Sequence, residues 1–273
     1  MSETSRATHD RVSVVLPTYD RAETLPAAID SVLEQTVPVH ELVVVDDGSS
    51  DSTPAIVAEA AERDSRVRLV QQPHLGATAA RNRGIAESEG DLVAFQDSDD
   101  RWMPTFVEHL RPWAGPDTVV FGTCRAWAGS SPRLEPPRPV GDPRRALRLT
   151  NRFSTQSAIL DAALLQVVRF DHGLRRFQDW DLWLSLIERT NARLLHVPVV
   201  VADKFMSEDS ITRGDARVRD ASIRRIMGRH WRLFARDPVA LARTTARGLV
   251  RPALRSVRTT VGRARAVRVE GSA

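Results

Sequence analysis

The sequence predicts an α/β protein built on a mostly parallel, twisted sheet with helices on both faces, followed by a C-terminal helical extension. Three observations carry this. Short apolar runs alternate with helical patterns through the first half of the chain, the β-α-β-α rhythm of a parallel sheet. Polar clusters follow the apolar runs, where an open parallel sheet places its ligands. The chain has 273 residues, 42% of them hydrophobic, enough to bury a full core.

The elements follow in order. Residues 12–16 read as a buried strand, and residues 25–34 as a helix with Leu25, Ile29, Val32 and Leu33 on one stripe. Thr24 suits its N-cap and Pro26 its first turn. Residues 41–45 form a second strand, with a helix starting at Thr53-Pro54 and turning Ile56, Val57, Ala60 and Ala61 inward. Residues 67–71 and 78–88 give a third strand and helix, and residues 91–95 a fourth strand before a helix over 104–113. A further strand is expected at 118–121. Five prolines between residues 130 and 143 then read as an extended loop. Strands at 157–160 and 193–201, helices at 161–168 and 182–189, and a helical pattern over 215–235 complete the reading, with another helix from Pro238 broken near Pro252. The expected boundaries are a flexible stretch 1–10, halves at 11–127 and 128–213, and a basic helical extension at 214–273.

Composition excludes several classes. No run of eighteen apolar residues marks a membrane span, and the polar start lacks the apolar core of a secretory signal. A single cysteine, Cys124, rules out an intramolecular disulfide and a cysteine-built zinc cluster, and cytoplasm is the expected compartment. Net charge is only +4, and eight arginines with no acid fall between residues 243 and 268. The basic excess is thus a property of the tail, which argues against a whole-surface nucleic-acid binder. No aromatic is interleaved among those arginines to stack a base, so no nucleic-acid partner is expected. Arg243, Arg247, Arg251, Arg255 and Arg258 would line one side of a helix, either as a solvated face or as a peripheral contact to an anionic membrane.

The polar clusters carry the chemistry. The first strand ends in Pro17-Thr18-Tyr19-Asp20, the second in Asp46-Asp47-Gly48-Ser49, the fourth in Asp97-Ser98-Asp99-Asp100. Turns favour Asp, Ser and Gly in any case, but five aspartates on one rim are costly without a cation. Carboxylates without nearby His or Cys suit Mg²⁺ or Mn²⁺, completed by phosphate oxygens. Asp97 and Asp99, two apart on an extended segment, face the same way. Tyr19 could stack a base, and the set together suggests a nucleotide diphosphate ligand.

These segments, with Gln35, residues 76–85 and 90–100, and the later stretches 170–174 and 178–184, resemble the ordered motifs of glycosyltransferase family 2 over roughly residues 10–200. The resemblance implies a GT-A nucleotide-sugar fold and an inverting transferase moving a sugar from a nucleotide-diphospho-sugar donor to a hydroxyl on a glycan or lipid-linked acceptor, as in cell-envelope synthesis. Carried over residue by residue, Pro17, Thr18 and Tyr19 would line the nucleoside pocket and Asp47 would accept from the base imide. Arg81 and Ser98 would lie at the nucleotide, Asp97 would hold the ribose or help order the metal, and Asp99 would ligate it. Asp179 would be the general base, while Asp181 caps the following helix. Tryptophans such as Trp102 are more often core residues than sugar platforms, although Trp102, beside the metal motif, is a candidate for the sugar or acceptor side. The phosphate-contact histidine common after the last strand has no counterpart, and Lys204, the one lysine of the chain, or Arg213 could supply the charge. Two other readings are a GT-A-fold nucleotide-sugar-binding protein without turnover, and a nucleotidyltransferase. The second would need a glycine-rich loop after the first strand, which is absent, as is the dinucleotide fingerprint.

Overall fold

A computed structural model describes residues 10–205 and 216–237, together with Val239 and Ala242. One nine-stranded sheet organises it, with strands β1 (Val12–Thr18), β2 (Glu41–Asp46), β3 (Val67–Gln71), β4 (Leu92–Phe95), β5 (Arg101–Trp102), β6 (Thr118–Trp127), β7 (Pro132–Glu135), β8 (Ala158–Asp161) and β9 (Arg193–Phe205). Their order is β3-β2-β1-β4-β8-β6-β9-β5, with β7 on β6. The expected parallel pairing holds across β3, β2, β1 and β4. Beyond β4 the sheet is mixed: β8 runs antiparallel to both β4 and β6, while β9 is parallel to β6.

Alternation along the strands sorts apolar side chains into two cores. Val14, Leu16, Leu92, Ala94 and Ile159 face one side, and Val15, Val93, Phe95, Ala158 and Leu160 the other. Helices α1 (Leu25–Leu33), α2 (Thr53–Arg63) and α4 (Phe106–Leu110) close the first core. The second is closed by α3 (Ala77–Glu87), α5 (Pro143–Leu149), α6 (Leu164–Val167), α7 (Gln178–Arg189), α8 (Ala216–Arg229) and α9 (Trp231–Ala235). Helices thus cover both faces, as the apolar rhythm predicts.

The departures have physical causes. The proline-rich stretch is not simply a loop: it pairs β7 along the edge of β6 and starts α5 at Pro143, where a proline is tolerated because its missing N–H would be unpaired anyway. Asp142 caps that helix by accepting from the Arg145 amide at 2.9 Å. The helix expected over 161–168 shrinks to Leu164–Val167, because Asp161 belongs to β8. The two-residue β5 went unread, being too short to show a period. Trp102 on β5 is 3% exposed, stacks on Phe106 at 3.7 Å between centroids, and donates its indole N–H to the Gln156 carbonyl at 3.1 Å. It is a core residue, the commoner role of a tryptophan, and the alternative place at the sugar or acceptor falls away.

Candidate functional site

The order β2-β1-β4 fixes where a ligand fits. The chain leaves β1 toward β2 and β3, then crosses back to place β4 on the other flank of β1. The loops after β1 and β4 therefore diverge and leave a crevice at the carboxyl ends of these strands. Pro17 and Thr18 end β1, beside Val45 and Asp46 of β2. Thr18 is 3% exposed, and its buried Oγ1 has no hydrogen-bond partner among the described residues. An orphaned buried hydroxyl is costly and fits a group supplied by a ligand. Tyr19, by contrast, is 42% exposed and lies against His74, with ring centroids 4.1 Å apart.

Most of the crowded aspartates are consumed by the fold. Asp46 Oδ1 accepts from the Ser49 amide at 3.1 Å. Asp47 is buried, and its carboxylate accepts from the amides of Leu75 at 2.9 Å and Gly76 at 2.8 Å and from the Gln72 amide group at 2.6 Å. His74 Nδ1 lies 3.1 Å from Asp47 Oδ2. Asp47 thus pins the β3–α3 loop under the Tyr19–His74 pair. Gly48 is required there: its φ of +80° favours glycine, and a Cβ would sit 3.0 Å from the His74 backbone nitrogen. Asp100, 3% exposed, accepts from the Phe205 amide at 2.6 Å and from the Gln156 side chain, tying the metal-motif loop to the end of β9. Burial, then the neighbouring Asp97 and Asp99, push its carboxyl well above the ordinary range.

Asp97 and Asp99 remain. Among the described residues no group of three or more His, Cys, Asp or Glu side chains could hold a metal ion, which corrects the five-carboxylate crowd inferred from the sequence. The chemistry still fits a hard cation that takes few protein ligands and completes its shell with phosphate oxygens. Burial and then the Asp97 charge push Asp99 above its ordinary value, and no described residue donates to it from a side chain. A divalent ion would offset that charge. Ser98, between them, is buried.

Arg81 on α3 joins this rim to the second half of the chain. Its Nη2 donates to Asp97 Oδ1 at 2.7 Å, its Nη1 donates to Gln178 Oε1 at 2.9 Å, and its guanidinium lies 5.6 Å from the centre of the Phe170 ring. Gln178 opens α7 and is followed by Asp179. Asp179 Oδ1 accepts from the Trp180 amide at 2.8 Å, and Oδ2 from Asn151 Nδ2 at 2.9 Å. The residue before the helix, Phe177, is left-handed at φ +59°, a strained state for an aromatic residue and one that recurs at functional turns. Lys204 on β9 is held charged: burial pulls its pKa down, but Glu135, Asp179, Asp100 and Asp97 outweigh this and raise it.

Asp181 is not a cap. It is fully buried, with Oδ1 3.0 Å from His230 Nε2 and Oδ2 accepting from Arg229 at 3.1 Å, so it anchors α8 and α9 to α7. Sequence reasoning missed Asn151, which no motif marks, and Gln72 and His74, whose roles depend on the β3–α3 loop folding back over Gly48. Arg213 and the arginines from residue 243 onward lie outside the described residues.

With this geometry in place, the family model "Glycosyl transferase family 2" matches residues 13–177. The chain belongs to that family. It is 36% identical over 117 residues to the uncharacterized glycosyltransferase YibD of Escherichia coli, covering 43% of this chain, and it spans about a third (34%) of that relative's length. It is 29% identical over 204 residues to the UDP-Glc:alpha-D-GlcNAc-diphosphoundecaprenol beta-1,3-glucosyltransferase WfgD of E. coli, covering 74% of this chain and 79% of the relative. Among solved structures it resembles the mannosyltransferase PcManGT from Pyrobaculum calidifontis, solved with GDP-Man and Mn²⁺. The TM-score is 0.66 at 21% identity, over 98% of this chain and 77% of that one. The fold of this family-2 chain is therefore of the GT-A type, a curled central sheet with flanking helices.

Proposed function

We propose that this chain is an inverting glycosyltransferase that moves a sugar from a nucleotide-diphospho-sugar to a hydroxyl of a glycan or lipid-linked glycan acceptor. The observation that carries the reading is the Arg81 bridge: one guanidinium holds Asp97 of the donor rim and Gln178, the neighbour of Asp179, at 2.7 and 2.9 Å. It supports a reading in which a metal motif and a carboxylate base flank one crevice, as a single displacement needs.

In this reading the nucleoside enters between Tyr19 and the orphaned Thr18 hydroxyl, over the loop that Asp47 pins. Asp47 itself, with its oxygens engaged by Leu75, Gly76 and Gln72, acts on the base through that loop as much as by direct contact. Asp99, with Asp97 and Ser98 beside it, would hold Mn²⁺ or Mg²⁺, which when bound neutralises the departing diphosphate. Asp179, oriented by Asn151, takes the proton of the acceptor hydroxyl as that oxygen attacks the anomeric carbon. The glycosidic bond to the diphosphate breaks on the opposite face, so configuration inverts. Lys204, whose charge is felt by Asp97, Asp99 and Asp179, takes the place of the missing histidine on the phosphate side. That cation speaks against the reading without turnover.

The acceptor reading draws on WfgD, whose name carries a lipid-linked diphospho-sugar. Among the described residues no helix is long and apolar enough to cross a membrane. In this reading the chain meets such an acceptor from the cytoplasmic side, with the C-terminal arginines as a peripheral contact. The test is a transfer assay with UDP-, GDP- and dTDP-sugars, Mn²⁺ and candidate acceptors, reading product configuration by NMR. Inverted product is expected. Donor binding with no transfer to any acceptor, or retained configuration, overturns the scheme.

A further inference from the structure

Beside the acceptor-side motif lies an open groove of about 620 Å³ whose walls carry Arg169, Arg189, Arg225 and Arg229 against the single carboxylate of Asp171. Two of the arginines are already spoken for. Arg225 donates to both oxygens of Asp171, Nε at 3.0 Å and Nη2 at 3.1 Å, and Arg229 donates to Asp171 at 2.9 Å and to Asp181 at 3.1 Å. Burial pushes Asp171 up, but the hydrogen bonds from Arg225 and the Gly173 amide outweigh it and keep the carboxyl below its usual value. Gly173 leaves room for this arrangement, because a Cβ there would meet the Arg225 guanidinium, which would have to shift.

The other two are not. Arg189, at the end of α7, is exposed and has no ion-pair partner among the described residues. Arg169 is more telling: among the described residues its Nη1 is buried without a hydrogen-bond partner, and its one side-chain hydrogen bond is that from Nη2 to Gln166 at 3.3 Å. Burial without a counter-ion pulls its pKa below the usual arginine value. A buried guanidinium nitrogen with nothing to donate to is an unpaid cost in the fold unless an anion arrives. Forked guanidinium groups are suited to phosphate oxygens.

The groove is coupled to the transfer crevice. Phe170, on its wall, lies under the guanidinium of Arg81, and its backbone exchanges two hydrogen bonds with Asn82, at 2.9 and 3.0 Å. Asn82 also meets His172 at 3.3 Å. Arg81 and Asn82 are neighbours on α3, so a ligand in the groove sits one residue layer from the Asp97–Gln178 bridge.

We propose that this groove is an anion subsite that takes the phosphate or diphosphate group carried by the acceptor, with Arg169 and Arg189 as its free ligands and Asp171 fixing Arg225 and Arg229 behind them. The assignment rests on the transferase reading for its word "acceptor", and the experiment separates the two. Binding of inorganic pyrophosphate to the full chain is measured by calorimetry in EDTA, which disables the metal-dependent donor rim. The wild type and Arg169→Gln/Arg189→Gln are compared, the double variant chosen because neither residue joins two elements. The expected result is one site in the wild type, weakened at least tenfold in the variant, with Mn²⁺-dependent UDP or GDP binding and melting temperature unchanged. Excess nucleotide should leave the pyrophosphate site intact. Vesicles of a polyprenyl diphosphate in phosphatidylcholine, set against vesicles of phosphatidylglycerol in phosphatidylcholine, then name the source. Retention by the first alone means a lipid-borne headgroup, and retention by neither with pyrophosphate still bound means a soluble phosphate-bearing acceptor. No pyrophosphate binding in the wild type, equal binding in the variant, or displacement by nucleotide overturns the subsite. Failure of the wild type to bind any nucleotide diphosphate is the separate failure of the transferase reading.

Discussion

Arg81 Nη2 donates to Asp97 Oδ1 at 2.7 Å while Nη1 of the same guanidinium reaches Gln178 at 2.9 Å, so one side chain fixes the donor rim relative to the first turn of α7. The third nitrogen of the group, Nε, is buried without a hydrogen-bond partner among the described residues. Such a residue acts by its planar fork, which a lysine cannot reproduce.

Arg81→Lys should therefore lower kcat/KM even though the charge is kept. Hydrogen bonds to charged groups contribute about 1.5–3 kcal/mol each, so the loss should be roughly ten- to a hundredfold. Steady-state kinetics with a fixed acceptor reads it. A variant within twofold of wild type would reduce the bridge to packing.

Asp99→Asn should abolish the tightening of nucleotide diphosphate binding by Mn²⁺. The sign of the pH dependence follows from burial, then Asp97, holding the Asp99 pKa above its unfolded value. A raised carboxyl stabilises the fold in its protonated form and loses that contribution as pH rises through the folded pKa. At neutral pH the metal-free wild type thus carries a destabilising charge. Asp99→Asn should melt no lower, and in calorimetry without metal somewhat higher. Metal needs the charged form, so Mn²⁺ affinity in the wild type should fall with decreasing pH while still above the range of a solvated aspartate, about 3.9. A flat profile down to that value would remove Asp99 as the ligand.

Strands β1, β2 and β4 were legible because each is a short, mostly apolar run buried on both faces, and the partly exposed edge strand β3 still falls at residues 67–71 as expected. The acceptor half was harder. β5 has two residues, β7 is exposed and contains a proline, and α5 follows a run of prolines, so none shows a period. At the rim, sequence showed which carboxylates gather but not which are already bonded. Asp46, Asp47 and Asp100 look like Asp97 and Asp99 on paper, yet Asp46 is held by the Ser49 amide three residues on, and Asp47 and Asp100 by amides from segments distant in the chain. Asp181 shows the same limit: its partners, Arg229 and His230, are 48 and 49 residues away and belong to no motif.

Asp47→Asn should cost both stability and nucleotide affinity. The amide's NH₂ would face the Gly76 or Leu75 N–H and leave a buried donor unsatisfied, a loss of about 1–3 kcal/mol. Chemical denaturation and UDP titration should move together. Reduced affinity with unchanged stability would instead favour a direct contact between Asp47 and the base.

Asp181→Leu and His230→Leu should each destabilise, because either takes one hydrogen-bond partner from a buried side chain, although His230 keeps Glu188 at 2.7 Å and Asp181 keeps Arg229 at 3.1 Å. Losing one such partner costs about 1–3 kcal/mol. The double change should cost less than the sum of the two, and that non-additivity in denaturant midpoints is the check. Strictly additive losses would mean that the 3.0 Å contact contributes nothing of its own.

Asp179→Asn separates base from cap. Asp179 lies in the first turn of α7, where an acid is favoured by the helix dipole, and its Oδ1 already accepts from the Trp180 amide at 2.8 Å. If that were its whole role, asparagine would keep the bond and activity would survive with a small loss of stability. As general base, however, it needs Oδ2, the oxygen that Asn151 orients at 2.9 Å, to take a proton. Asparagine cannot accept that proton. The expected outcome is a fall in kcat of about 10²–10⁴-fold, with KM for the donor and the melting temperature little changed. Asn151→Ala should give a smaller fall, since it only orients the acid, and Asp179→Glu should recover part of the rate where asparagine recovers none. Single-turnover measurements distinguish this from slow product release, because loss of the base slows the chemical step itself. Near-normal turnover in Asp179→Asn would leave the helix cap as the role of this carboxylate and move the base to another residue.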